Sequence, residues 1–177
     1  MKRKSFESMH CPIARSLEHV GEWWNILILR DAYYGLSRFD EFQKSLGITP
    51  TTLTRRLNDL VDGGLLERRL YSEKPPRYDY VLTPRGRDFR PVLLTLMEWG
   101  NNHFSPEGKS IYLADETSGE AVNLALIDAN TGKKINREEH AVRAGEAASE
   151  KVYERLEKGR VRRLAQRQQP SIPASNG

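Results

Sequence analysis

The chain has 177 residues, of which 38% are hydrophobic and 29% charged, with a net charge of +4. That composition fits one modest domain with appendages. A mean hydropathy of -0.66 and a longest aliphatic run of only Ile26 to Leu29 exclude a bilayer span, and the single cysteine, Cys11, excludes an internal disulfide. A sequence pI of about 9.2 is compatible with a polyanionic partner. These features point to a soluble chain of the reducing cytoplasm. The charge is unevenly spread: net +3 over residues 1–104, -3 over 105–148 and +4 over 149–177.

In chain order, Met1 to His10 form a basic arm carrying Lys2, Arg3 and Lys4. Pro12 suits a first helical position, and Ile13, Leu17 and Val20 share one face, so a helix is expected over 12–20. Trp23 to Tyr34 is apolar nearly all round, as a helix at the centre of a core should be. Ser37 as cap, with Glu41, starts a short helix to Leu46, which Gly47 stops. Thr49-Pro50 opens a fourth helix with Leu53, Leu57, Leu60 and Val61 on its buried side, ended by Gly63-Gly64.

The period then changes. Leu65 to Tyr71 and Tyr78 to Leu82 read as two strands joined by the turn-rich Ser72–Arg77. Thr83-Pro84 opens a last long helix, with Pro91 set to bend it or move its start. Residues 105–148 are expected to form a small β-rich appendage, with strands at Ser110–Leu113, Ala121–Ile127 and His140–Val142 and a turn at Asp128–Gly132. Residues 149–168 read as a helix and 169–177 as a disordered tail. The order is mainly α with a β-hairpin wing: a winged helix-turn-helix, a β-rich appendage and a terminal helix.

Chemistry follows from the fourth helix. With Leu53 pointing inward, Thr51, Arg55 and Asn58 point away from the core and Thr52 and Thr54 flank that face, while Arg56 lies nearer the core edge. The N-terminal part of such a helix meets base edges in the major groove, where Arg suits guanine, Asn suits adenine and Thr suits phosphates or thymine methyls. Lys74 and Arg77, beside Pro75-Pro76, are placed to reach phosphate or minor groove. The candidate DNA-contacting set is therefore Thr49, Thr51, Thr52, Thr54, Arg55, Asn58, Lys74 and Arg77. Cys11, at a helix start next to His10, has the surroundings of a thiolate and is a redox candidate, the competing reading being a small inert cysteine packed at the helix start. His10, His19, His103 and His140 lack metal-ligand spacing with Cys11, no phosphate-cradling glycine loop is present, and no catalytic constellation is visible. Neither metal, cofactor nor enzymatic activity is expected. The last helix displays Leu93, Leu96, Met97 and Trp99, more apolar surface than a small winged helix can cover, which points to an interface or to packing against the appendage.

Residues 11–100 resemble the HxlR family of bacterial regulators. The resemblance lies in Cys11-Pro12-Ile13-Ala14-Arg15, Gly21-Glu22-Trp23-Trp24, Ile26 to Asp31, Arg38-Phe39-Asp40-Glu41-Phe42 and Leu53-Thr54-Arg55-Arg56-Leu57. It continues in Gly64 to Arg68, Pro75 to Tyr80 and Leu82-Thr83-Pro84. Trp23 stands where the family often has a basic residue, and Thr49 where it usually has serine. The resemblance implies a homodimeric repressor or activator acting on double-stranded DNA with a pseudo-palindromic operator. It is paired through its first and last helices, which adds Ile13 and Leu17 to the expected dimer interface. The domain reading is 1–10 arm, 11–104 DNA-binding and dimerisation, 105–148 appendage, and 149–177 basic helix and tail. The competing reading is a winged helix used as a protein-interaction module.

Overall fold

The computed structural model describes residues 5, 6 and 8–168, the side chains of 166–168 excepted. The expected basic arm Lys2–Lys4 and the tail 169–177 lie outside the described residues. The elements are α1 (Pro12–Val20), α2 (Trp23–Tyr33), α3 (Phe39–Leu46), α4 (Pro50–Asp62), β1 (Leu66–Glu73), β2 (Pro76–Leu82), α5 (Pro84–Arg87), α6 (Arg90–His103) and α7 (Glu150–Gln168). The chain divides into two compact units. One is Ser16–Ala125; the other joins Met1–Arg15 to Leu126–Gly177.

The core of the Ser16–Ala125 unit gathers around α2 and α4. Ile28, Leu29, Phe42, Leu53, Leu57 and Leu60 are fully buried, and Val20, Ile48, Leu65 and Leu66 close the cluster. Burying such side chains is worth roughly 1.5–3 kcal/mol each. Polar links orient the helices. Asn25 Nδ2 donates to the carbonyl of His19 at 2.8 Å, satisfying an acceptor that the end of α1 leaves open. Arg56 is buried on α4, where its guanidinium meets Glu22 at 3.0 Å and Asp59 at 2.9 Å.

Helix starts follow local chemistry with one correction. Thr49 accepts from the amide of Thr52 at 3.4 Å, and Pro50 occupies the first turn of α4. On α3 the cap position belongs to Arg38, not Ser37. Glu41 reaches back to accept from the amides of both Ser37 and Arg38 at 2.9 Å, leaving the Ser37 hydroxyl to donate to Asp79 at 2.8 Å. The amide of Arg38, then that of Ser37, hold the Glu41 carboxyl below its ordinary range. Its contribution is present at neutral pH and is lost as pH falls through that depressed value.

The strands pair antiparallel from Leu66 opposite Leu82 to Glu73 opposite Pro76, with an irregularity between Leu70 and Ser72. The connecting turn is therefore Lys74-Pro75 alone, narrower than the expected Ser72–Arg77, because the strands continue to Glu73 and Pro76. Pro91 moves the start of the last helix: α5 ends at Arg87 and α6 begins at Arg90, with proline in its first turn, where it removes no needed donor.

In the appendage the β character is limited to two isolated antiparallel bridges, Ala114 with Ala121 and Ile127 with Lys134. The strands expected at Ser110–Leu113, Ala121–Ile127 and His140–Val142 do not form among the described residues. Each bridge closes on an aspartate turn. Asp115 accepts from the amides of Thr117 and Ser118, and Asp128 from the amide of Asn130 and the hydroxyl of Thr131. These side chains compete with the ladder for backbone donors.

Gly86 marks the tightest junction between wing and helices. A Cβ there would lie 2.1 Å from the carbonyl oxygen of Leu65. The Tyr33 hydroxyl donates to the Gly86 carbonyl at 2.7 Å and ties this backbone in place. Gly86→Ala should cost about 1–3 kcal/mol of stability, read as a lowered thermal midpoint by circular dichroism; a midpoint equal to that of the parent would contradict this packing.

Candidate nucleic-acid interface

The buried leucines fix how α4 is rotated. Leu53, Leu57 and Leu60 have no exposure, so the opposite face is turned outward, and Thr51, Thr54, Arg55 and Asn58 are all exposed on it. Thr49 is exposed at the cap. Thr52 is half-buried, and its hydroxyl accepts from that of Thr49 at 2.9 Å, so it is partly committed to the helix start. Neighbouring arginines differ sharply. Arg56 is held inward by two carboxylates, whereas Arg55 is exposed and has no ion-pair partner among the described residues.

The wing projects from a firm base. Only its first residue, Leu66, is buried in β1. The amide of Tyr80 donates to the carbonyl of Ser37 at 2.7 Å, and Arg38 bridges to Asp79 in the manner of a minimal third strand. Arg38 also lies 3.6 Å from the Asp79 carboxylate and stacks over Tyr71 at 4.7 Å. At the tip Lys74 is exposed in the turn, and Arg77 is exposed one position into β2. Ser72 donates to the carbonyl of Pro75 at 3.1 Å and braces the turn. Helix α4 and the wing tip thus belong to one compact unit, and α3, α4 and the hairpin share its core.

Two wing arginines escape a reading of the linear pattern. Arg68 stacks over Tyr78 at 5.6 Å, and Arg69 pairs with Glu67. The signal was available in the register, because Arg68 lies opposite Tyr80 and diagonal to Tyr78 once the turn is placed.

The candidate interface residues of α1 and α6 are uncovered to different degrees. Ile13 is 72% exposed, Trp99 53%, Leu96 43% and Leu17 41%, while Leu93 and Met97 are half-buried. No residue of α6 is fully buried. A groove of about 600 Å³ runs between α2, α6 and residues 104–113, lined by Leu93, Leu96, Met97 and Phe104 among others. Part of the expected contact between α6 and the appendage does form: Asn101 donates to the carbonyl of Ile111 at 2.9 Å, and Lys109 lies 3.2 Å from Glu98.

Cys11 belongs to the other unit. The amide of Ala14 has the largest effect on its thiol and lowers it; burial opposes this, and the Ile13 amide and the Arg155 guanidinium add to the lowering, leaving the thiol below its ordinary value. The helix start supplies donors that favour the thiolate. Among the described residues no helix is long and apolar enough to cross a membrane.

Comparison with known proteins agrees with this architecture. Residues 19–108 match the HxlR-like helix-turn-helix family model. An uncharacterised HTH-type transcriptional regulator of Mycobacterium tuberculosis is 43% identical over 124 residues, covering 70% of this chain and 78% of its own. A solved Pseudomonas aeruginosa protein named as a transcription factor is 54% identical, with a TM-score of 0.60, over 82% of this chain and 100% of its own. A second structure named as a transcription factor reaches a TM-score of 0.72 at 35% identity over 80% of this chain and 100% of its own. Coverage that large extends past residue 108, so the likeness includes part of the segment beyond the family match. A family match over half the chain, on a winged helix-turn-helix whose core and hairpin are those described above, shows that this protein belongs to the HxlR-like helix-turn-helix family of transcriptional regulators.

Proposed function

We propose that the protein is a homodimeric, sequence-specific DNA-binding regulator that acts as a repressor by occupying its operator. The observation that carries this reading is the outward face of α4: Thr51, Thr54, exposed Arg55 and Asn58, set opposite a leucine ridge of zero exposure. Arg55 reads guanine in the major groove and Asn58 reads deeper along the same face. Thr49, Thr52, Lys74 and Arg77 hold the sugar-phosphate backbone or minor groove and set register. Repression requires no surface beyond these.

A protein-interaction module would favour an apolar or acidic face, and the exposed side of α4 and the wing tip offer cations and hydroxyls instead. Pairing is supported by the uncovered apolar residues of α1 and α6, Ile13, Leu17, Leu96 and Trp99, and by half-buried Leu93 and Met97 along the α6 groove. A twofold dimer presents its two recognition helices about 34 Å apart, matching half-sites one turn apart on a pseudo-palindrome. Cys11 supplies a redox input: its thiol is poised toward thiolate by the start of α1 and by Arg155, so modification there is expected to release DNA.

Arg55→Ala should weaken binding to a selected operator by about 1–3 kcal/mol and relax preference at one base pair. Lys74→Ala should weaken all duplexes alike and lower the salt slope by about one per protomer, about two for the dimer. Gel shifts of both variants on operator and unrelated DNA check these roles, with Arg56→Ala as the contrasting variant that loses stability. Binding unchanged in both Arg55→Ala and Lys74→Ala would overturn the assignment. For pairing, Leu96→Glu should give monomers in light scattering; a dimeric mass would place the interface elsewhere. Cys11 should be alkylated by iodoacetamide at lower pH than a free cysteine thiol, and diamide with added glutathione, which takes one hydrogen from each thiol and joins Cys11 to glutathione as a mixed disulfide, should release operator DNA. Full operator binding by protein whose Cys11 is shown to be oxidised would remove the redox input.

A further inference from the structure

The terminal helix α7 carries a charge pattern that the winged helix does not use. Lys151, Arg155, Lys158 and Arg162 follow one another at intervals of four, three and four residues. At about 100° per residue they fall within an arc of roughly 60°. All four are exposed. The other charges of the helix are sorted away from this stripe or neutralised: Arg160 is locked to Glu157, with its guanidinium at 2.7 Å, on the far side. Glu154 borders the stripe and draws partly on Lys158 at 3.8 Å, whereas Lys151 and Arg162 have no acidic partner among the described residues.

A second observation concerns Gly159. It sits within the helix at the edge of the stripe, a position where glycine is a poor choice for helix stability. Internal packing does not require it, since a Cβ there would meet only the end of the flexible Arg163 side chain, at 3.3 Å. Its effect is to leave a shallow groove of about 320 Å³ along the helix, lined by Lys151, Glu154, Arg155, Lys158, Gly159 and Arg162. A row of cations beside a bare stretch of backbone suits a ligand that is itself a row of anions and comes close to the helix.

We propose that this face of α7 binds the sugar-phosphate backbone of duplex DNA without regard to sequence, as an anchor additional to α4 and the wing. The stripe extends about 16 Å along the helix axis, enough to meet several successive phosphates of a duplex that carries one charge per roughly 1.7 Å of axis. A membrane surface is disfavoured by the groove itself, because no apolar or aromatic side chain lines it to enter the bilayer boundary. The inference rests on the reading of the protein as a DNA-binding regulator, and the test separates the two.

The experiment measures fluorescence anisotropy of labelled operator and unrelated duplexes with the full chain across a salt series. The Lys151→Gln, Lys158→Gln, Arg162→Gln triple variant spares Arg155, which neighbours Cys11. Its log-log salt slope should fall by about 2.7 per protomer, about 5.4 for a dimer with both copies engaged, on both duplexes, with the ratio of operator to unrelated affinity unchanged. Gly159→Ala should raise helix content by circular dichroism yet weaken both duplexes several-fold, a combination that a merely structural role would not give. An unchanged slope in the triple variant, with Arg55→Ala still losing base preference, defeats the α7 anchor and leaves the regulator reading intact. Failure of the parent chain to bind any duplex defeats both. Binding of the parent to phosphatidylserine vesicles that the triple variant loses, with no change in DNA slope, assigns the stripe to membranes and overturns the proposal.

Discussion

The fold depends on one constraint: the packing of the α4 leucine ridge against α2 and α3. Leu53, Leu57 and Leu60 are fully buried with Ile28, Leu29 and Phe42, so α4 cannot rotate without exposing several of them to water. Each such exposure costs roughly 1.5–3 kcal/mol, a large fraction of a small domain's total stability of about 5–15 kcal/mol. The outward direction of Arg55 is therefore set by apolar side chains on the opposite side of the helix. The buried Arg56 strengthens the same constraint, because its tie to Glu22 holds α4 to the start of α2 while Asp59, one turn along α4, fixes its guanidinium. Breaking a paired, buried charge is costlier than removing an exposed one. Two adjacent arginines thus take opposite roles through burial alone.

The wing depends on a different kind of restraint. Its strands bury little, so orientation comes from directional bonds at the base. Tyr80 donates to the carbonyl of Ser37, Thr83 donates to the carbonyl of Gly64, and Arg38 sits between Asp79 and Tyr71. Gly86 lets the chain pass close enough to Leu65 for these bonds to form. A charged tip carried by an exposed hairpin is compatible with contacts that fix register without reading sequence.

Much of this was legible in the sequence where hydrophobic period and punctuation agree. The span of α1 and the capped start of α4 follow from Pro12, Thr49-Pro50 and the leucine spacing, and Gly47 ends α3 in the left-handed conformation that glycine favours. The outward face of α4 followed from geometry alone. Five features did not. The cap of α3 moved to Arg38 because Glu41 satisfies two amides and frees Ser37 for Asp79, a partner 42 residues away. The hairpin turn tightened to two residues because Pro76 and Arg77 fit extended backbone as well as a loop. The appendage kept bridges but no strands, since Asp115 and Asp128 divert backbone donors into turns. Arg68 became visible only through cross-strand register, and the α7 stripe through a helix whose apolar pattern is too sparse to draw the eye to its opposite side.

The regulator reading makes its most direct claim about the major groove: guanidinium groups from two copies occupy guanine edges on one side of the duplex. Dimethyl sulfate footprinting of the protein on a selected operator reports on guanine N7 in that groove. The account predicts protection in two patches about one helical turn, 10–10.5 base pairs, apart. Full retention of guanine reactivity throughout a saturated complex would contradict it.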